Sequence, residues 1–262
     1  MAKSVESKTN MKSPANLFSL QGKVAVVTGG GRGIGRAIAA GLRDCGASVA
    51  ALDLTAGNIE AEQEGVKLFY CDVTSEASID GALNKVADEL GMTDILINNA
   101  GINVLGPAMT YPTATWQKVL DINLTGAFLC ARHVGADLIN SGKPGRIINI
   151  ASVMGHVAPN IHAAVAYSAA KAGMLGLTRA LAVEWSKYSI TVNAICPGMI
   201  LTDLTASRMT DKNYERGMRQ RIPNGQFGSP DDLVGAAVYL ASSAANLVTG
   251  HALNVDGGWM AA

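Results

Sequence analysis

Charge is scarce in this sequence, and neither sign is in excess. Charged residues make up 16% of the chain and the formal net charge is zero, with acids and bases interleaved. A nucleic acid or an anionic membrane as main partner needs a basic patch, which this pattern does not supply. Cysteine is also rare. Cys45, Cys71, Cys130 and Cys196 stand far apart among apolar neighbours and form no CxxC pair. Buried free thiols in a reducing compartment are therefore expected. No run reaches the roughly 18 uninterrupted apolar residues of a membrane span. The first 20 residues are rich in Lys, Ser and Asn and lack the apolar run of a signal peptide. Pro/Ser linkers, repeats and low-complexity tracts are missing as well, and the histidines lack metal-ligand spacing. These absences predict a cytoplasmic protein with a flexible polar tail over residues 1–20, one domain over 21–262, and no metal.

What the chain does have is apolar material, 48% of its residues, and 29 glycines. From Lys23 onward, short β-branched runs alternate with longer helical patterns. Strands are predicted at 24–28, 48–53, 67–71, 94–98, 146–151, 191–195 and 251–255. Helices are predicted at 34–44, 77–90, 115–140, 166–188 and 231–242. Such alternation implies parallel strands joined by right-handed helical crossovers. The expected fold class is α/β: one Rossmann-type doubly wound parallel sheet of about seven strands, with helices on both faces. Ligands of such sheets bind beyond the carboxyl ends of the strands.

The first of those ends carries Thr28-Gly29-Gly30-Gly31-Arg32-Gly33-Ile34-Gly35. Glycines between a strand and a helix let the backbone turn tightly and approach a ligand. The helix start offers unpaired N–H groups that suit a pyrophosphate. Asp53 ends the second strand, 24 residues after Gly29. A carboxylate there accepts from an adenosine ribose and repels a 2′-phosphate, which points to NAD rather than NADP. Arg32 pulls the other way, because a cation in the turn suits a 2′-phosphate; Leu54 adds no positive charge.

Farther along, Tyr167-Ser168-Ala169-Ala170-Lys171 puts a phenol and an ammonium one turn apart on one helix face. Tyrosine, with a pKa near ~10, is a poor base at neutral pH, and an adjacent ammonium favours its phenolate. Ser152 follows the fifth strand, where its hydroxyl would polarise a carbonyl, and Asn98-Asn99-Ala100-Gly101 follows the fourth.

Taken together, these motifs resemble the short-chain dehydrogenase/reductase family from about Leu20 to Ala262. They are the TGxxxGxG turn, Asp72 in CDV, NNAG, Asn123 in DINLTG, Ser152, YxxxK, and Pro197-Gly198. The resemblance implies a tetrad of Ser152, Tyr167, Lys171 and Asn123. In it Tyr167 exchanges the hydroxyl proton and Ser152 holds the substrate oxygen. Lys171 bonds the nicotinamide ribose, and Asn123 holds a relaying water. Cofactor contacts implied are Gly29, Arg32, Gly33, Ile34, Gly35 and Asp53 at the turn, and Asp72 and Val73 at the adenine. Asn99, Ala100 and Gly101 fall near the ribose, although Asn99 and Asn123 also read as structural hydrogen-bonders. Pro197, Gly198, Ile200 and Thr202 complete the set at the carboxamide, with Tyr167 and Lys171.

Three stretches should line the substrate pocket: 102–104 with Asn103, the loop 154–165 with His156, Asn160 and His162, and a lid over 201–226. Fourteen residues separate Ser152 from Tyr167, more than is usual in the family, so substrate contacts in that loop do not transfer. The lid arginines Arg216, Arg219 and Arg221 read either as anion ligands or as a solvated helix face. A polar pocket suggests a polyol, sugar or sugar acid, and the pattern is similar to gluconate 5-dehydrogenase-like members. A 3-oxoacyl-carrier-protein reductase-like enzyme and a catalytically silent NAD-binding sensor are the alternatives. Helices apolar on more than one face, together with the family resemblance, imply a homotetramer.

Overall fold

The computed structural model of the protein describes residues 13–55, 64–158 and 163–262. A helical turn, α1 (Pro14–Leu17), leads into β1 (Val24–Thr28), α2 (Gly33–Asp44), β2 (Ser48–Asp53), β3 (Val66–Tyr70), α3 (Glu76–Leu90) and β4 (Ile95–Asn98). Then follow α4 (Thr113–Leu120), a π-helical turn (Asp121–Thr125), α5 (Gly126–Ser141), β5 (Gly145–Ile150), α6 (Val165–Trp185) and β6 (Ile190–Pro197). The chain closes with α7 (Asp203–Ala206), α8 (Lys212–Gln220), α9 (Val234–Ala241) and β7 (Ala252–Val255).

All seven strands pair in parallel, in the order β3-β2-β1-β4-β5-β6-β7. The chain starts in the middle, winds outward to β3, then returns to β4 and winds the other way. Continuous apolar strands such as VAVVT suit this arrangement, since every residue of β1, β4 and β6 is buried and helices must cover both faces. On one face α2, α9 and the turn that leads into α9 bring Ile38, Leu42, Leu233 and Val238 against Val27 and Ile97. On the other, α3, α5 and α6 bring Ile79, Val134 and Leu181 against Val26, Leu96 and Val192. Burying each such side chain contributes roughly 1.5–3 kcal/mol.

One prediction needs refinement and one correction. The helix expected over 115–140 is present as a single helical run from Thr113 to Ser141 that widens at the π turn, where the Asn123 side chain takes the Val119 carbonyl one turn behind it (Nδ2 to O, 2.9 Å). The tail expected over 1–20 ends earlier. Leu20 is 1% exposed in the α2/α9 core, and its N–H donates to the Cys45 carbonyl at 2.8 Å. Residues 1–12 lie outside the described part. Cys71, Cys130 and Cys196 are buried free thiols, but Cys45 is only half-buried. Among the described residues, no helix is long and apolar enough to cross a membrane.

Candidate active site

Because the strands run parallel, their carboxyl ends share one edge, and a cavity of about 350 Å³ lies along it. The strand order fixes the sequence of groups it meets: Cys71, Asp72 and Val73 after β3, Asp53 at the end of β2, and the glycine turn after β1. Asn99 to Asn103 follow β4, Ser152 follows β5, and Pro197 ends β6, with Gly198, Met199, Ile200 and Thr202 after it. From β2 to β5 is three strand spacings, roughly 14 Å.

At the near end Gly29 and Gly33 take φ of +62° and +53°, which L side chains rarely adopt. A Cβ on Gly33 would meet nothing closer than 3.7 Å, so its backbone is open to the cavity. Gly35 differs. A Cβ there would sit 2.2 Å from the Gly29 carbonyl oxygen, and the residue does not line the cavity. Its place in the motif reflects packing of α2 against the turn.

Asp53 is held in place by its neighbours. Oδ2 accepts from the Gly31 N–H at 3.0 Å, and Oδ1 accepts from Thr55 N at 3.0 Å and Oγ1 at 2.7 Å. A carboxylate offers about four acceptor sites, so Oδ2 retains capacity for a hydroxyl. Asn99 spends its amide on structure, donating to the Thr28 and Gly29 carbonyls at 2.9 Å each. Thr28 Oγ1 accepts from Asn99 N and Ala100 N at 3.0 and 3.1 Å. This lacing ties the glycine turn to the end of β4.

At the far end Ser152, Tyr167 and Lys171 all line the cavity. Ser152 is buried and its Oγ accepts from Met154 N at 3.1 Å, which leaves its own O–H as a donor. Lys171 Nζ stands 5.5 Å from the centroid of the Tyr167 ring and donates to the Ile150 carbonyl at 2.7 Å. Burial pulls the Lys171 pKa down to about 8, and nearby Cys196 partly opposes this. The Cys196 thiol is itself pushed up to about 11 by burial, so it is no nucleophile at neutral pH. Asn123 enters from the π turn. Its Nδ2 bridges the Ile102 and Val119 carbonyls at 2.9 Å each. Its Oδ1 is buried and accepts no hydrogen bond, so it is an acceptor that calls for a donor.

These features fit a pyridine dinucleotide. An open backbone at Gly33, a fixed carboxylate with spare acceptor capacity, and the orphaned Asn123 oxygen lie along one trough. The remaining expectations divide. Arg32, Ile34, Asp72, Val73, Ala100, Gly101, Ile200 and Thr202 line the cavity, as do Ile102 and Asn103. Val104 does not; its carbonyl instead accepts from the Tyr111 hydroxyl at 2.9 Å. His156 also lies off the cavity, with Nε2 3.5 Å from Cys196 Sγ. Asn160 and His162 fall outside the described residues. Arg216, Arg219 and Arg221 are absent from the lining; Arg219 pairs with Glu215 and lies 4.2 Å over the Phe227 ring. Sequence reasoning missed Trp259, which lines the cavity and belongs to no motif.

A family model described as "Enoyl-(Acyl carrier protein) reductase" matches residues 29–260. The chain belongs to the short-chain dehydrogenase/reductase family. It is an oxidoreductase that acts on CH–OH groups with a pyridine nucleotide. It is 41% identical to D-threitol dehydrogenase of Mycolicibacterium smegmatis, over 92% of this chain and 94% of that one. It is 38% identical to 2-dehydro-3-deoxy-D-gluconate 5-dehydrogenase of Dickeya dadantii, over 94% and 98%. A gluconate 5-dehydrogenase of Burkholderia cenocepacia, solved with NADP and tartrate, superposes with a TM-score of 0.88. That structure shares 33% identity, covering 95% of this chain and all of that one.

Proposed function

We propose that this protein oxidises a secondary alcohol of a polyol, sugar or sugar acid with NAD, and that Ser152, Tyr167, Lys171 and Asn123 perform the proton chemistry. The observation that carries the reading is the single cavity bordered at one end by Asp53 and the glycine turn and at the other by Ser152, Tyr167 and Lys171. When bound, the pyridine nucleotide accepts the hydride from the carbinol carbon.

Tyr167 takes the hydroxyl proton as that hydride leaves, so the C–H and O–H bonds break together and a carbonyl forms. The Lys171 ammonium beside the ring stabilises negative charge on the phenol. Ser152 donates to the substrate oxygen and keeps it within reach of Tyr167. Asn123 Oδ1 holds a water that passes the proton onward toward Lys171. Gly29, Gly33, Ile34 and Arg32 hold the pyrophosphate, with Asp72, Val73, Ala100 and Gly101 around the adenosine. Pro197, Gly198, Ile200 and Thr202 hold the carboxamide.

Asp53 supports NAD over NADP, because its fixed charge would face a 2′-phosphate without a counter-ion beyond Arg32. Asp53→Ala is expected to raise kcat/KM with NADP relative to NAD by about tenfold or more. An unmoved ratio places the ribose contact elsewhere. The reading as a whole is tested by NADH formation from NAD and a panel of polyols, sugars and sugar acids. No turnover on any alcohol by protein that still binds NAD would contradict it. We also infer a homotetramer, on the support of Phe128 on α5 and Val165 and Val183 on α6 left exposed, and a cytoplasmic location, on the support of the free thiols.

A further inference from the structure

The cavity changes character beyond Ser152 and Tyr167. Its walls there come from Ile102, Met154, Met199, Met218 and Trp259, and the last four belong to one apolar cluster. Trp259 is firmly held. The Asp256 carboxylate accepts from Gly258 N at 3.0 Å and Met260 N at 2.9 Å, and Gly258 takes φ +92° against Pro223. Asn224 N donates to the Gly257 carbonyl at 3.3 Å. The indole is thereby wedged, 6% exposed, between the terminal turn and the base of α8. The Arg221 guanidinium carbon stands 5.2 Å from its ring centroid.

None of these five walls carries a charge. Among the described residues, the cations lining the cavity are Arg32, in the glycine turn, and Lys171, already bonded to the Ile150 carbonyl. The anions are Asp53, Asp72 and Asp203. Arg221 lies over the indole but is not among the residues that line the cavity, so a carboxylate set against the thioethers and the indole would surrender its hydration and gain no lining cation in return. A terminal CH₂OH sheds far less, and the C–H face of a polyol packs on an aromatic ring.

We propose that the substrate is an uncharged polyol whose hydrocarbon face lies on Trp259, and that aldonates of equal length are rejected. The proposal rests on the reading above that the chain oxidises sugar-derived secondary alcohols. It separates relatives that divide on this point, one named for threitol and others for gluconate derivatives.

The test is kcat/KM with NAD for matched pairs: tetritols with tetronates, pentitols with pentonates, hexitols with hexonates, each in several configurations. The best polyol is expected to exceed its aldonate by at least about tenfold. An aldonate that equals or exceeds its polyol overturns the proposal and leaves the oxidoreductase reading standing. Failure of every member of both classes, with NAD binding intact, overturns that underlying reading too. Trp259→Ala, checked for folding by circular dichroism, is expected to raise the polyol KM by about tenfold with a much smaller change in kcat. An unchanged KM would overturn the role given to the indole. The wild-type pair ratio decides the substrate class whether or not the variant folds.

Discussion

Lys171 shows what a single residue costs this fold. The residue is 3% exposed, and burial draws its pKa from 10.5 to about 8. The folded state therefore binds fewer protons than the unfolded chain between those values, and stability contributed by this group rises with pH across that window. Below about pH 8 the penalty is present in full, on the order of 3 kcal/mol. Lys171→Met is accordingly expected to abolish turnover yet stabilise the protein by about 1–3 kcal/mol at pH 7, allowing for the bond lost at Ile150. The gain should shrink by pH 10. Denaturant titrations at both pH values check this, and a variant less stable than wild type at pH 7 would contradict it. The Tyr–Lys pair was legible in the sequence because spacing on a helix fixes a shared face. Trp259 was not, because its position depends on a turn packed against a lid far away in sequence.

Elements were legible to the degree that local chemistry decides them. The runs at 24–28 and 48–53 became β1 and β2 with no change of boundary, since the middle of a strand buried on both faces is apolar, as VAVVT and the VAAL of SVAALD are. The π turn at Asp121–Thr125 left no such trace. Its cause is tertiary: Asn123 bonds Ile102 across the β4 loop while taking the Val119 carbonyl, and the extra residue in the turn accommodates both. The glycine turn was legible as a motif but not in the division of labour among its glycines. Gly33 faces the cavity, whereas Gly35 faces the Gly29 carbonyl and the Asn99 amide at 2.2 and 2.4 Å from a built Cβ. Gly35→Ala must push α2 off the turn. Thermal or urea denaturation is expected to show a loss of about 1–3 kcal/mol. A variant as stable as wild type would mean that the lacing between β1 and β4 yields more readily than described.

At the scale of the whole molecule, the sheet supplies one functional edge and the helices cover its two faces. Several large apolar side chains nevertheless remain outside: Val183 and Val165 on α6 are 80% and 36% exposed, and Phe128 on α5 is 39% exposed. Apolar surface gathered on α5 and α6 calls for a cover. Light scattering at micromolar concentration is expected to give four times the chain mass, and a monomer's mass would refute the tetramer. The order of strands also places Tyr167, carried by α6, beside the far end of the trough that begins at Asp53, apart from the glycine turn assigned to the pyrophosphate. That separation makes the phenol testable by itself. Tyr167→Phe removes one oxygen and leaves the helix and the glycine turn untouched. NAD titration and steady-state turnover of the variant are expected to show near-wild-type dinucleotide affinity with kcat lowered by about a hundredfold to ten-thousandfold. Turnover retained at the wild-type rate would contradict the assignment of Tyr167 as the acid/base.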